Sequence, residues 1–392
     1  MAYNFDRVPN RRIPGVLNKW TFYPKDVLPL WVADMDFQSP EPVIRALRER
    51  VEHGVFGYLA FEQPEFHELF ADRLLKRYGW RVSPEAVVLI PGVIPGFNVA
   101  GRIFAAPGDG LILQTPVYPP ILRAASSIGL TREEAPLARR SDGSYAVDID
   151  AFSAGIRERT RFFLLCNPHN PVGRVFTREE LTSLAQVCLR RGLAIVSDEI
   201  HCELTLEGNR HTPIASLDPE IAERTITLMA PSKTFNLAGL KCSVAIIPNA
   251  ALREKFVNGR IDLVQTVNVF GYTAAFAAYR DGQPWLDELL RYLEANRDFV
   301  ADYVRARLPG VVMDPPEATY LAWLDCRNAG IPGGDPFTFF LEKARVALND
   351  GALFGPGGAG HVRLNFGCPR SMLVKALDQM RDALTADRPA RV

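Results

Sequence analysis

One stretch decides how the rest of this chain is interpreted: Ala230-Pro231-Ser232-Lys233-Thr234-Phe235-Asn236-Leu237-Ala238-Gly239-Leu240-Lys241. It lies between two β-branched, apolar runs, residues 225–229 and 242–247, which predict buried strands. Lys233 is therefore poorly placed to be a solvated surface charge. Desolvation favours the neutral amine, which is a nucleophile toward carbonyl groups. From this stretch alone, a lysine that reaches out of a β-turn to solvent is an equal alternative.

Composition excludes several classes of protein. The chain has 392 residues and is 47% hydrophobic, which is enough for one large domain and a smaller one. Lys+Arg and Asp+Glu both number 45, so no basic excess indicates a nucleic-acid partner. No apolar run approaches the roughly 20 residues of a membrane helix. Six scattered cysteines without a CxxC pair and a polar N-terminus predict a reduced, cytoplasmic protein.

From residue 87 onward, short apolar runs alternate with helical patterns. This alternation predicts an α/β fold with a mainly parallel sheet. The predicted strands before the lysine stretch cover residues 87–90, 110–115, 161–166 and 193–197. Well after that stretch, a helix is predicted over about residues 336–349. Because ligands bind at the carboxyl ends of such strands, the residues that follow each strand are candidates for a site.

Several side chains follow these strands. Tyr118 is held by flanking prolines, where it either stacks on a flat ligand or simply fills the loop. Asn170 lies in the proline-rich loop 167–173 and suits a ring hydroxyl or a carboxylate. In the same loop, a hydrogen-bonded structural role is favoured over a catalytic one for His169. Asp198 ends a buried strand and needs a partner to balance its desolvation, such as a protonated pyridine nitrogen.

Two features suit anionic groups. Residues 91–96 form a glycine-containing turn before a helix predicted from Phe97, so free amides there form a phosphate cradle, although neither GxGxxG nor a P-loop is present. Arg363 interrupts an apolar strand and suits a carboxylate, with a surface arginine as the equal alternative. Asp34 and Asp36 lack a His or Glu at ligand spacing, so no metal site is predicted.

The order of these motifs resembles the aspartate-aminotransferase fold family of pyridoxal-phosphate enzymes. The class I/II aminotransferase signatures are Asn-Pro-x-Asn-Pro-x-Gly at 167–173, Asp198-Glu199 and Ser232-Lys233 followed by Gly239. The segments 31–37, 166–174, 198–201 and 232–239 are similar to the MalY/PatB-type cystathionine β-lyase branch. The resemblance extends from about Phe5 to Leu384.

The resemblance implies a large three-layer α/β domain with a mainly parallel sheet and a smaller α+β domain. Residues 1–44 would form an N-terminal arm and part of the small domain. Residues 45–282 would form the large cofactor-binding domain, and residues 283–392 the small C-terminal domain.

The resemblance also implies a role for each residue toward pyridoxal 5'-phosphate. Lys233 would hold the cofactor as an imine and later move the Cα proton. Asp198 would pair with the pyridine nitrogen and Tyr118 would stack on the ring. Asn170 would bond the ring 3-oxygen and touch the substrate carboxylate.

The remaining implied contacts concern the phosphate, the substrate and a second subunit. Arg363 would bind the substrate α-carboxylate, and Ala33 would lie near the substrate. His201 occupies a position where tyrosine is common, which leaves its donation to the ring oxygen open. A partner's tyrosine at the phosphate implies a homodimer. The implied phosphate ligands are Gly92, Val93, Ile94, Ser232, Lys241 (where arginine is common) and Tyr58 of the neighbouring subunit.

The implied reaction is a carbon–sulfur β-elimination. Cystathionine or a related S-substituted cysteine would give a thiol, pyruvate and ammonia. A class I/II aminotransferase with a keto-acid acceptor is the alternative, because it needs the same residues. A regulator that binds another protein is a third possibility, and no helix-turn-helix, basic patch or coiled coil supports it.

Overall fold

The structure is a computed structural model that describes residues 3–7, 9–60 and 63–386. The outer limits of the predicted domains, residues 1 and 392, lie outside the described residues. The predicted division into 1–44, 45–282 and 283–392 therefore stays a prediction.

The described residues form strands and helices in the alternating order that the sequence predicts. The strands are β1 (Leu28–Pro29), β2 (Val87–Ile90), β3 (Gly110–Thr115), β4 (Thr131–Pro136), β5 (Ala138–Arg139), β6 (Tyr145–Ala146), β7 (Thr160–Cys166), β8 (Ala194–Asp198), β9 (Thr225–Met229), β10 (Ser243–Ile246), β11 (Val312–Met313), β12 (Leu321–Asp325), β13 (Val346–Ala347), β14 (Asn349–Asp350) and β15 (His361–Asn365). The helices are α1 (Lys19–Phe22), α2 (Glu41–His53), α3 (Pro64–Tyr78), α4 (Val93–Phe104), α5 (Pro119–Ser127), α6 (Ile149–Gly155), α7 (Arg178–Arg190), α8 (Pro219–Ala222), α9 (Pro231–Thr234), α10 (Ala250–Gly259), α11 (Val269–Asp281), α12 (Gln283–Arg307), α13 (Pro336–Glu342) and α14 (Arg370–Thr385).

A seven-stranded sheet forms the centre of the molecule, in the order β2-β10-β9-β8-β7-β3-β4. Only β10 runs antiparallel to its neighbours, and the other adjacent pairs are parallel. The predicted α/β fold with a mainly parallel sheet is confirmed. The carboxyl ends of β3, β7, β8 and β9 consequently meet at one edge.

A second sheet, antiparallel throughout, has the order β11-β12-β15-β14. The segment before α2 is tied to the chain beside this sheet, because β1 pairs in parallel with β13. Within the described residues no helix is both long and apolar enough to cross a bilayer.

Two predicted boundaries are wrong. The helix predicted from Phe97 begins at Val93, because Pro95 lies in its first turn, where a proline removes no intrahelical hydrogen bond. The helix predicted over 336–349 ends at Glu342. The buried, apolar residues that follow form β13 and pair with β1 instead.

Helix α4 packs unusually close to the sheet. A Cβ atom on Gly96 would lie 2.6 Å from Ile90 Cδ1 and 2.9 Å from Leu228 Cδ2, so a larger residue would push the helix away. This close approach fixes the N-terminus of α4 beside the carboxyl edge of the sheet.

Candidate active site

A cavity of about 380 Å³ lies at this edge of the sheet. It brings together residues that are far apart in the sequence and that were predicted from it. The predicted residues in its wall are Ala33, Gly92, Val93, Ile94, Tyr118, Asn170, Asp198, His201, Ser232, Lys233 and Lys241. Arg363 and Tyr58, the other predicted site residues, do not contribute to this wall.

Lys233 lies in the short helix α9, which directly follows β9. Its Nζ donates a hydrogen bond to the main-chain oxygen of Ala33 at 2.7 Å, and the hydroxyl of Tyr320 donates to the same oxygen at 3.0 Å. Burial lowers the pKa of Lys233 to about 8, and the positive charge of Arg363 acts in the same direction. A substantial fraction of the amine is therefore neutral near pH 8 and available as a nucleophile or base.

Asp198 is the last residue of β8 and is almost completely buried. Its Oδ1 accepts a hydrogen bond from the Ile200 amide at 3.1 Å. Within the described part of the chain, no salt bridge is formed to this carboxylate. Burial raises the pKa of Asp198 to about 7. A cationic nitrogen in the cavity would supply the partner that the protein itself does not provide.

His201 is buried in the same wall, and its Nδ1 has no hydrogen-bond partner. Burial, with the charges of Lys233 and Arg363, holds the pKa of His201 well below its ordinary value. The ring is therefore neutral. Its unpartnered nitrogen is a polar group that a ligand oxygen or hydroxyl would satisfy.

Arg363 lies one hydrogen bond behind the cavity wall, because its Nη1 donates to Asn170 Oδ1 at 2.9 Å. Its Nη2 donates to the main-chain oxygen of Trp31 at 3.2 Å and to Asn349 Oδ1. The guanidinium also lies 5.0 Å from the ring centroid of Phe354. Burial lowers the pKa of Arg363 to about 10, which leaves it charged at neutral pH. The buried Nε has no partner and remains available for an anion.

The N-terminus of α4 faces the cavity through Gly92, Val93 and Ile94. No side chain caps this helix, so its first amides are open to a bound anion. Ser232 and Lys241 lie in the same wall, and Lys241 is solvent-exposed in the left-handed region, with φ 54°. Tyr118 precedes α5, and its main-chain amide donates a hydrogen bond to the main-chain oxygen of Asn170 at 3.0 Å.

Two other residues are located away from the cavity wall. The ring nitrogens of buried His169 lie 3.1 Å and 2.8 Å from the main-chain oxygens of Cys166 and Pro116, the geometry of a structural loop histidine. The side chain of Tyr58 is 99% exposed in the loop between α2 and α3. Its predicted role toward a neighbouring subunit stays a prediction.

Sequence reasoning missed several residues at the site. Cys166 and Ile200 line the cavity and adjoin predicted strand ends, so the strand boundaries contained the signal. Tyr320 and Asn349 act through hydrogen bonds to groups distant in sequence. Asn349 had no usable signal, because residues 336–349 were predicted as one helix.

The site residues follow the carboxyl ends of β2, β3, β7, β8 and β9 along one edge of an aspartate-aminotransferase-like sheet. The class I and II aminotransferase family model matches residues 25–380, and the chain belongs to this family. The predicted family is thus confirmed.

Relatives cover nearly the whole chain. Cystathionine beta-lyase PatB of Bacillus subtilis is 40% identical over 97% of this chain and all of that protein. Cystalysin from Treponema denticola, solved with pyridoxal 5'-phosphate, is 32% identical, with a TM-score of 0.94 over 99% of this chain and all of that one. A pyridoxal-phosphate-bound putative aminotransferase from Clostridium difficile is 35% identical, with a TM-score of 0.94 over 98% and 100%.

Proposed function

We propose that this chain is a pyridoxal-phosphate-dependent carbon–sulfur β-lyase. Its substrate is cystathionine or a related S-substituted L-cysteine. The overall reaction takes up one water and releases a thiol, pyruvate and ammonia. The observation that carries the proposal is the buried pair of Lys233 and Asp198. Neither forms a salt bridge within the described residues, and burial moves their pKa values to about 8 and about 7.

The residues present fit this cofactor. Asp198 would bind the pyridine nitrogen, and the unpartnered Nδ1 of His201 and the amide of Asn170 would lie toward the ring oxygen. Tyr118 would stack on the ring. The uncapped amides of α4, with Ser232 and Lys241, would hold the phosphate. When bound, the cofactor supplies an electron sink for the pair released at the substrate Cα.

The protein's own contribution is binding, orientation and proton transfer. Arg363 and Asn170, held together by their hydrogen bond, bind the substrate carboxylate and fix the direction of the Cα–H bond. Lys233 removes the Cα proton with its neutral amine. The same residue is a proton source for the departing thiolate once it carries that proton.

The second candidate is an aminotransferase, favoured by the likeness to the Clostridium difficile structure. It requires the same proton transfer from Cα by Lys233 and differs only in where the proton is delivered. The lyase is preferred because a relative named cystathionine beta-lyase is 40% identical over its whole length.

The proposed assembly is a homodimer in the cytoplasm, with Tyr58 reaching the neighbouring subunit's phosphate site. The supporting observation is a run of exposed apolar side chains around Tyr58: Val51, Val55 and Phe56 are 55–61% exposed. Exposed apolar patches of this kind mark protein interfaces.

The test follows the cofactor absorbance while L-cystathionine is added, with pyruvate and free thiol measured in the same tube. The lyase predicts equal amounts of both products and a restored starting spectrum. A spectrum that recovers only after a keto acid is added would establish the aminotransferase instead.

A further inference from the structure

A short segment, residues 31–36, crosses the site and is named here the strap. Its Ala33 oxygen accepts hydrogen bonds from Lys233 and Tyr320. The main-chain oxygen of its first residue, Trp31, accepts a hydrogen bond from Arg363. The strap therefore contacts both the reactive lysine and the arginine proposed to bind substrate.

The strap is held from outside by the N-terminal arm. Lys19 Nζ lies 2.8 Å from a carboxylate oxygen of Asp34 and 2.8 Å from one of Asp36. Arg11 contacts the same two carboxylates at 2.6 Å and 2.7 Å. The indole of Trp20 donates to Asp36 at 2.8 Å. Two cations and two anions thus form a neutral cluster directly beside Ala33.

Part of this cluster is buried in the protein. The side chains of Lys19 and Asp36 are each only 1% exposed. Lys19 also donates to the main-chain oxygen of Asp34 at 3.0 Å, which fixes the backbone next to Ala33. Loss of one cation from a buried cluster leaves an uncompensated charge and frees the backbone that it held.

We propose that Arg11 and Lys19 are positioning residues for Lys233. By binding Asp34 and Asp36 they hold the Ala33 carbonyl against the lysine amine and cancel the negative charge of Asp34 next to it. The inference rests on the proposed role of Lys233 but not on the fate of the substrate, since lyase and aminotransferase both require that role.

The charges around Lys233 fix the sign of the expected effect. Arg363 and Lys241 oppose its protonation, whereas Asp34 and Asp198 favour it. Loss of Lys19 leaves Asp34 less compensated and therefore favours the protonated form. The pH midpoint of a titration at this nitrogen should rise.

The test is a pH titration of the cofactor absorbance band in the holoenzyme of Lys19→Met. We expect the midpoint to rise by roughly one pH unit. The kcat should fall about tenfold. The KM should change less than threefold, because Arg363 keeps its hydrogen bonds to Asn170 and Asn349. Arg11→Met, whose side chain is 23% exposed, should shift the midpoint in the same direction by a smaller amount.

Two controls separate positioning from general destabilisation. Lys76→Met removes an exposed lysine paired with Asp72, and Leu184→Ala weakens the core of α7 away from the strap. Neither should move the midpoint. An unchanged midpoint and kcat in Lys19→Met, or an equal shift in Leu184→Ala, would overturn the proposal. The products of the unmodified enzyme, measured separately, decide the reaction class whatever the variants do.

Discussion

Two of the groups of charged side chains that the structure buries, the arm cluster and the sheet edge, are balanced in opposite ways. In the arm cluster, Arg11 and Lys19 neutralise Asp34 and Asp36 at distances of 2.6–2.8 Å. At the sheet edge, Asp198 accepts one amide hydrogen bond and forms no salt bridge within the described residues.

The pKa values follow this difference in pairing. Arg11 and Lys19 hold the pKa of Asp34 below its ordinary value in spite of burial. Burial raises the pKa of Asp198 to about 7, because the Ile200 amide and the charge of Lys233 oppose its effect only in part. A paired cluster fixes a backbone, whereas unpaired charges are poised to bind a ligand and move a proton. The arm cluster is therefore suited to hold structure, and the sheet edge is suited to perform chemistry.

The largest effect is expected for Lys233→Ala, which removes the amine that donates to the main-chain oxygen of Ala33. Turnover should fall roughly 10⁴-fold or more, because the variant lacks both the group that holds the cofactor and the base. Pyruvate release and the cofactor absorbance spectrum measure this loss. Lys76→Ala is the matched control and should keep both. An unchanged imine band in Lys233→Ala would show that another amine holds the cofactor.

The next effect tests the arm cluster by equilibrium unfolding. Lys19→Met should lower the free energy of unfolding by about 3–5 kcal/mol, because it removes one of the two cations that neutralise Asp34 and Asp36. The stability that ionised Asp34 contributes exists above its ordinary pKa of 3.8 and is lost as the pH falls through its lower folded value. The difference between the two proteins should therefore shrink below pH 4. A difference that persisted at low pH would show that lost packing, not charge, causes it.

Asp198→Asn should change the free energy of unfolding of the apoenzyme in the opposite direction, toward greater stability. The folded pKa of Asp198, about 7, exceeds its ordinary 3.8, so ionisation opposes folding as the pH rises between these values. The variant avoids this cost and should be more stable than the unmodified apoenzyme by on the order of 2–4 kcal/mol at pH 8, with little difference at pH 4.

The same Asp198→Asn variant should lose activity, at least about a hundredfold, because a neutral amide does not stabilise a cationic pyridine nitrogen. Thermal unfolding of the apo form across pH, with kcat of the holo form, measures both effects. Retained turnover would mean that another group holds the ring nitrogen. A loss of apoenzyme stability at pH 8 would contradict the unpaired state of this carboxylate.

Arg363→Lys tests an intermediate case, a buried cation that is hydrogen-bonded but not ion-paired. Lysine retains the charge but lacks the guanidinium group, whose two terminal nitrogens donate hydrogen bonds to Asn170, Trp31 and Asn349. We expect KM to rise about thirtyfold, with a smaller change in kcat. An unchanged KM would place the substrate carboxylate elsewhere. The exposed Arg305→Lys is a control that should leave KM unaltered.

Much of the sheet-edge site was predictable, because Tyr118, Asn170, Asp198 and Lys233 lie at or just after the ends of apolar runs that the sequence makes visible. Asp198 and Asn170 were found in this way. The α4 boundary was wrong because proline in a first turn is as compatible with a helix as with a loop. Sequence patterns report local periodicity, and the strand ends are local features.

The arm cluster was not predictable by the same means. Asp34 and Asp36 were considered only as metal ligands, and Arg11 and Lys19 were not recognised as their partners. Lys19 precedes Asp34 by 15 residues with no shared periodicity, so their contact arises from tertiary folding alone. The role of Asn349 was not predicted for the same reason, since its contact with Arg363 depends on the register of β14 with β15.

Tyr58→Phe should give the smallest effect and extends the comparison beyond one subunit. Because this side chain is 99% exposed, the change should leave the unfolding free energy within about 0.5 kcal/mol of the unmodified value. If its hydroxyl reaches the neighbouring subunit's phosphate, cofactor affinity should fall several-fold, the loss of one hydrogen bond to a charged group. Mixed dimers that carry Lys233→Ala in one subunit and Tyr58→Phe in the other localise the effect, because their single intact lysine would then face an unmodified tyrosine of the partner. Such dimers should bind cofactor at that lysine with full affinity, whereas a weakened site would place the tyrosine in its own subunit's cavity.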